Sequence, residues 1–261
     1  MDDFARGWGC VRSWTCQPVG YTPPVNRQED PPRPRGWLVT IEGPDGAGKT
    51  SQALRLRDRM ADAGLDAVLT REPGGTSIGE RIRQVLLDPT IGDLDPATDA
   101  LLFNAARARL VREVIRPALD RGAFVISTRF ADSTLAYQGY GGGVPLPDLQ
   151  AMARLAMDGV SPDLTILLDL PAEAGLSRKS GHEVTRFETE FNVDFHRRVR
   201  QGFLAIAAEE ADRFVVIDAT QPPEEVGAAV IRALARLPEL PPVASDQRRG
   251  EPRTAPERIH T

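Results

Sequence analysis

Short apolar runs alternate with longer stretches of helical period through most of the chain. The runs "WLVTIE" (37 to 42), "AVLTRE" (67 to 72), "AFVIST" (123 to 128), "LTILLDL" (164 to 170) and "RFVVIDA" (213 to 219) are rich in Val, Ile and Leu. Such continuous apolar content marks strands covered on both faces. Helical segments are expected between them, over 49 to 62, 78 to 87, 97 to 120, 147 to 158, 171 to 179, 188 to 210 and 223 to 236. Gly64 stops the first of these and Gly122 the third, as glycine does just past a helix end. Strand, helix, strand in repetition predicts an α/β fold, a mostly parallel sheet with helices on both faces. Ligands of such sheets gather at the carboxyl ends of the strands.

The pattern stops at both ends. Residues 1 to 35 and the tail from 238 to 261 are dominated by Pro, Arg, Asp and Gly without periodicity, and both are expected to be disordered. Residues 36 to 237 remain as a single domain, a length that supports one core. Hydrophobic residues at 41% and charged residues at 26% fit a soluble globular protein. A formal net charge of −5 offers no general attraction to a polyanion, so a nucleic-acid partner is not expected. Cys10 and Cys16 match no common zinc spacing, and a core without thiols suits a reducing compartment. The start "MDDFARGWGC" lacks the basic and apolar regions of a secretory signal, and no run approaches the roughly 20 apolar residues of a membrane span. A cytoplasmic location is expected.

After the first strand comes "GPDGAGKTS", which satisfies GxxxxGK[ST] with Gly43, Gly48, Lys49 and Thr50, and with Pro44, Asp45, Gly46 and Ala47 between the glycines. The glycines let successive backbone N–H groups curl around phosphate oxygens, and the following helix adds its positive end. Lys49 can neutralise terminal phosphates while the Thr50 hydroxyl meets Mg2+; Glu72, at the end of the second strand, is a further candidate for the metal. The cradle identifies a nucleoside triphosphate site and leaves GTPase, ATPase and small-molecule kinase open. No Asn-Lys-x-Asp element for reading guanine occurs in the sequence.

A second substrate has its own candidates. Arg71, Glu72 and Pro73 end the second strand, with Arg83 on the next helix. Phe103 and Arg107 are four residues apart, hence on one helix face. A ring for stacking beside a guanidinium suits a pyrimidine with an exposed carbonyl, although a core Phe and a solvated Arg would show the same spacing. The stretch "FVISTRFADSTLAYQGYGGG" (124 to 143) passes from an apolar strand to Arg129, Thr134, Tyr137 and Gln138. If 131 to 139 form a helical turn, Thr134 and Gln138 share a face. Gln138 can donate and accept, matching O4 and N3–H of thymine or uracil, and Arg83 with Arg129 can converge on a monophosphate. The basic segment "GLSRKSGHEVTRFE" (175 to 188) fits either a solvated loop or, beside a phosphate cradle with no Arg or Lys before Lys49, a lid over about 177 to 188 that delivers Arg178, Lys179 or Arg186 to a transferring phosphoryl group.

Taken in order, "IEGPDGAGKTSQ", "TREPGGTSIGERIR", "LLFNAARARLV", "RFADSTLAYQG", "SPDLTILLDLP" and "VVIDATQP" resemble the bacterial thymidylate kinases over nearly all of 36 to 237. The resemblance implies a P-loop nucleoside monophosphate kinase fold with a five-stranded parallel sheet. It also implies transfer from ATP to dTMP with Mg2+, usually by a homodimer. By matching position, Asp45 would contact the sugar 3′-hydroxyl, Phe103 would stack on thymine, Arg107 would donate to O4, and Thr134 and Gln138 would complete base recognition. Tyr137 would crowd a 2′-hydroxyl, Arg83 and Arg129 would hold the acceptor phosphate, and Lys49, Arg129, Arg178 and Arg186 would be the catalytic cations. The chain departs from the usual pattern at Thr128, where the family has Asp before its Arg, at Gly142, where Arg is common, and at Thr185, where Asp or Asn often stands. Two alternatives follow: a degenerate nucleotide-binding paralogue with weak or no turnover, or a kinase for another deoxynucleotide such as dUMP.

Overall fold

The computed structural model describes residues 35–92, 94–179, 192–238 and 240. Each apolar run is a strand: β1 (Trp37–Glu42), β2 (Ala67–Arg71), β3 (Phe124–Thr128), β4 (Leu164–Asp169) and β5 (Phe214–Asp218). All pair in parallel in the order β2-β3-β1-β4-β5. The chain leaves β1 toward β2 on one side and later crosses to β4 on the other. The crevice of this sheet therefore opens beside the carboxyl end of β1, where the strand order reverses.

Alternation along β1 decides what lies on each face. Val39 and Ile41 join Ala53, Leu56, Met60, Ile126, Ile166 and Val230 in one core, under α1 (Lys49–Asp62) and a C-terminal helix over Pro223–Ala233. Leu38 faces the opposite core with Leu110, Ile115, Val125 and Phe130. Thr40 and Glu42 share that second face and are fully buried, so the strand carries a carboxyl group into the interior at its last residue.

The helices on this second side are α2 (Ser77–Leu87), α3 (Pro96–Leu110), α4 (Arg116–Asp120), α5 (Ala131–Thr134) and α6 (Leu146–Met157), followed by α7 (Ala172–Lys179), α8 (Val193–Glu209) and α9, the C-terminal helix already placed. Two of them differ from the sequence reading. The segment expected as one helix over 97 to 120 contains a π-helical stretch, Val111–Ile115, before Pro117. Proline has no N–H to donate and its ring crowds the preceding turn, and a widened turn accommodates both. Residues 131 to 139, expected as a helical turn, fall in one turn of α-helix, Ala131–Thr134, followed by a second π-helical stretch, Leu135–Gly141. Helix α8 starts later than expected because Asn192 caps it, its side-chain oxygen accepting from the Phe195 N–H. The expected extension, most of the lid and nearly all of the tail lie outside the described residues.

Candidate active site

The loop from Gly43 to Gly48 depends on glycine at three positive φ values, 137° at Gly43, 76° at Gly46 and 84° at Gly48. A Cβ on Gly43 would sit 2.3 Å from the Leu168 carbonyl oxygen, whereas one on Gly48 would meet nothing within 4 Å. The loop is thus pressed against β4 on one side and open at the start of α1. No side chain caps that helix, which leaves its first N–H groups for an anion. The Lys49 ammonium bends back over the loop and donates to the carbonyls of Gly43 at 2.9 Å and Pro44 at 2.7 Å. Thr50, one residue further, is exposed. A hydroxyl oxygen beside an anion cradle is a donor set that fits Mg2+.

Helix α7 lies against this loop by backbone contact. A Cβ on Gly46 would be 2.3 Å from the Gly175 oxygen, and one on Gly175 would be 2.2 Å from the Asp45 oxygen. Gly175→Ala is expected to displace the loop and raise KM for ATP by about 10-fold or more, since misplacement by an ångström is costly even far from the chemistry. Initial rates at varied ATP check this; an unchanged KM would mean that α7 moves instead.

The carboxyl ends of β1, β2 and β3 enclose a pocket of about 160 Å3. Asp45, Arg83, Phe103, Arg107, Arg129, Thr134, Tyr137 and Gln138 all line it, so the residues expected to hold the acceptor are brought together. Glu72, Pro73, Leu87, Phe130 and Ser133 line it as well.

Arg107 is not a solvated charge. With Glu72 it forms a pair whose side chains are 1% and 3% exposed. Its Nε donates to Glu72 Oε2 at 2.9 Å and its Nη2 to the same oxygen at 2.7 Å, while Oε1 accepts from Nε at 3.2 Å. Asn104, the Phe130 carbonyl and the Thr134 hydroxyl accept from its remaining edges. Burial raises the Glu72 carboxyl above the usual range, opposed by Arg107. Glu72 was a candidate metal ligand, and both its oxygens accept from Arg107 inside the pocket. Among the described residues no group of three or more acidic, His or Cys side chains is placed to hold a metal.

Arg129 stands at the other centre of the pocket. It adopts φ 68°, a left-handed conformation unusual for a residue with a side chain. Its N–H donates to the Ile41 carbonyl, and the Arg129 carbonyl accepts from the Ser127 hydroxyl at 2.8 Å. Its guanidinium donates to Asp45 at 2.5 Å, to the Tyr137 hydroxyl at 3.0 Å and to the Ser133 hydroxyl at 3.0 Å, with its carbon 4.8 Å from the Tyr137 ring centre. Burial raises the phenol of Tyr137 well above its ordinary range. The carboxylate on Arg129 therefore comes from the phosphate loop. Thr128, which cannot supply one, has no hydrogen bond through its hydroxyl among the described residues and sits beside Ile41 and Arg71 in the sheet.

Arg83 donates to the Pro73 carbonyl at 3.0 Å. Arg178 donates at 3.1 Å to the carbonyl of Ala219, just past β5, and is not among the residues lining the pocket. Arg186 and Thr185 lie outside the described residues. Sequence reasoning missed Glu42, Ser133 and Asn104. The signal for Glu42 was available, an acid closing an otherwise apolar strand directly before a phosphate loop.

A family model described as thymidylate kinase matches residues 41–230. The thymidylate kinase of Deinococcus radiodurans is 47% identical over 201 residues, covering 77% of this chain and 97% of that protein. That of Thermomicrobium roseum is 50% identical over 196 residues, covering 74% and 92%. The crystal structure of thymidylate kinase from Ehrlichia chaffeensis superposes with a TM-score of 0.63 at 33% identity, covering 77% of this chain and 99% of that one. The parallel sheet, the loop after β1 and these matches give the P-loop nucleoside monophosphate kinase fold. The matched span carries both the phosphate cradle and the pocket beside it, and on that footing the chain belongs to the thymidylate kinase family.

Proposed function

We propose that the protein transfers the γ-phosphoryl group of ATP to dTMP, giving dTDP and ADP. One observation carries this reading: a pocket whose wall includes Asp45 of the phosphate loop also presents a ring, a buried amide and a carboxylate-anchored arginine. Phe103 stacks on the base, and Gln138 pairs with O4 and N3–H. One Nη1 hydrogen of Arg107 goes to Asn104, and the other is directed to a base carbonyl. An arginine only donates, so the amino group of cytosine meets a donor there and is rejected.

Arg129 and Arg83 bind the acceptor phosphate and shield its charge, allowing its oxygen to approach the γ-phosphorus. That oxygen is already deprotonated near neutral pH, and no general base is required. Lys49 swings from the loop carbonyls to the ATP phosphates. Mg2+, with Thr50 as the residue to hold it, supplies neutralisation of the phosphate charge when bound. Arg178 and Arg186, in the expected lid, are the remaining candidate cations for the migrating group. Tyr137, fixed by Arg129, occupies the side where a 2′-hydroxyl would be crowded.

A homodimer is the assembly we favour. Ile78 and Val85 on α2, Leu101 on α3 and Leu155 on α6 are exposed apolar side chains on helices packed in sequence, and Leu155 is 84% exposed. A cytoplasmic location accords with the sequence, and among the described residues no helix is long and apolar enough to cross a membrane.

The test is ADP formation with ATP and Mg2+ against dTMP, dUMP, dCMP and no acceptor. The expected order is dTMP, then dUMP lower by roughly 10-fold for the missing methyl, then dCMP, with no acceptor lowest. A rate indifferent to acceptor would overturn the kinase reading, and preference for dCMP would overturn the base contacts.

A further inference from the structure

Glu42 has no part in the mechanism above, yet it is the acid most deeply set beside the chemistry. It closes β1 with no exposed surface. Its Oε1 accepts from the Phe130 N–H at 2.6 Å and its Oε2 from the Ser133 hydroxyl at 2.6 Å. Both partners belong to Arg129. Phe130 is the residue that follows its left-handed backbone, and Ser133 accepts from its guanidinium at 3.0 Å. A left-handed residue with a side chain persists only where its surroundings over-determine it, and Glu42 clamps the chain one residue after the turn. Ser133 is a relay: its hydroxyl hydrogen points to Glu42, which turns its lone pairs toward Arg129.

We propose that Glu42 is a positioning residue for the acceptor-phosphate arginine, holding Arg129 through the Phe130 N–H and the Ser133 hydroxyl, and that it does so in its ionised form. The inference rests on the reading of Arg129 as a phosphate ligand. The direction of the relay explains the dependence on ionisation. With Oε2 protonated, the carboxyl hydrogen would point at Ser133, whose own hydrogen would then be turned toward the Arg129 donors. The guanidinium would lose an acceptor and its orientation.

The groups around Glu42 place this event near neutrality. Asp132 of α5 adds a second negative charge, itself paired with Arg213 at 2.7 Å, and Arg129 opposes it. Asp45 of the phosphate loop and Tyr137 of the π-helical stretch meet Arg129 on its other edges, and β4 pairs the uncharged Leu167 with Glu42. Burial first and Asp132 second push the Glu42 carboxyl up to about 7 against the hydrogen bond from Ser133 and the charge of Arg129. A raised folded value means that the native state holds the proton more tightly. Stability from this group is present below the ordinary value of 4.5 and lost as pH rises through about 7.

The test is kcat/KM for dTMP and KM for ATP between pH 5.5 and 8.5 in the wild type, Glu42→Gln, Ser133→Ala and the double variant. Glutamine keeps the acceptor for Phe130 and donates to Ser133, imitating the protonated acid at every pH. Glu42→Gln is expected to lower kcat/KM for dTMP about 10-fold at pH 8, a loss of one good hydrogen-bonded orientation, and to leave KM for ATP within about twofold. The gap should close below pH 6, and the limb that survives in the variant belongs to the substrate phosphate. Ser133→Ala should lose a similar factor and the double variant no more than either, as expected for residues acting through one relay. The slope of melting temperature against pH should flatten in Glu42→Gln. Equal losses on ATP and dTMP, multiplying losses in the double variant, or a gap independent of pH would each overturn the proposal. If Glu42→Gln fails to fold, Ser133→Ala alone decides: unchanged kcat/KM for dTMP overturns the relay. Should the wild type transfer nothing to dTMP, the kinase reading falls separately, and dTMP affinity by calorimetry across the same variants and pH values then decides the role of Glu42.

Discussion

Lys49→Ala is expected to lower the rate of dTMP-dependent ADP formation by roughly 10^3-fold, with the melting temperature unchanged within error. The size follows from the chemistry. Charge builds on the migrating phosphoryl group, and one preorganised donor aimed at such charge is worth about 10^2- to 10^3-fold. The ammonium is half-exposed and its hydrogen bonds to Gly43 and Pro44 oxygens are made to a loop already set by its glycines and by Leu168. Removing it therefore takes little from the fold. Single-turnover rates with circular dichroism melts on the same sample make the comparison. Retained transfer would refute the assignment of the phosphate cradle, and a collapsed melt would show that Lys49 holds the loop as well as the phosphates.

The second large effect is on stability. Arg107→Ala leaves Glu72 buried without its counter-charge, and breaking a buried ion pair from one side costs about 3–5 kcal/mol. The two side chains are 1% and 3% exposed, so solvent can replace Arg107 only by way of the pocket that both of them line. With Arg107 gone, only desolvation acts on the Glu72 carboxyl, so its folded pKa rises further. The sign is that of an acid raised on folding: the variant regains stability as pH falls, and its deficit should be smaller at pH 5 than at pH 8. Denaturant unfolding at both values measures this. Replacing both partners, Arg107→Met with Glu72→Leu, should recover much of the stability while dTMP binding stays lost. Separation of the two losses shows that the pair is kept for recognition. A double variant that still binds dTMP at wild-type strength would remove Arg107 from base reading.

The sheet was legible because β1, β3 and β4 are buried on both faces and their runs are mostly apolar; β2 and β5, at the edges, kept enough of the same pattern to be found. Strand order was not, since runs of similar composition do not say which neighbours which. The acceptor pocket was legible as a set: residues from α2, α3 and the segment after β3 had a common chemistry before they had a common place. What escaped were states of residues rather than identities. Arginine reads as exposed by type, and only the return of Glu72 across 35 positions buries Arg107. Thr128 drew attention as a missing acid, but charge on Arg129 is supplied from Asp45, and Glu42 was passed over although its place, closing an apolar strand just before the phosphate loop, marked it. The π-helical stretches are equally silent, for a helix wound wider than usual keeps nearly the same apolar stripe.

Asp45 belongs to two sites at once. It is part of the loop laid out for the donor's phosphates, its carboxylate holds the arginine laid out for the acceptor's, and its backbone oxygen bears on Gly175. A residue shared in this way makes the two substrates thermodynamic partners. Whatever factor bound ATP imposes on the dissociation constant of dTMP, dTMP must impose the same factor on that of ATP. A compound that occupies only one half of the cleft would then be felt as a changed affinity in the other.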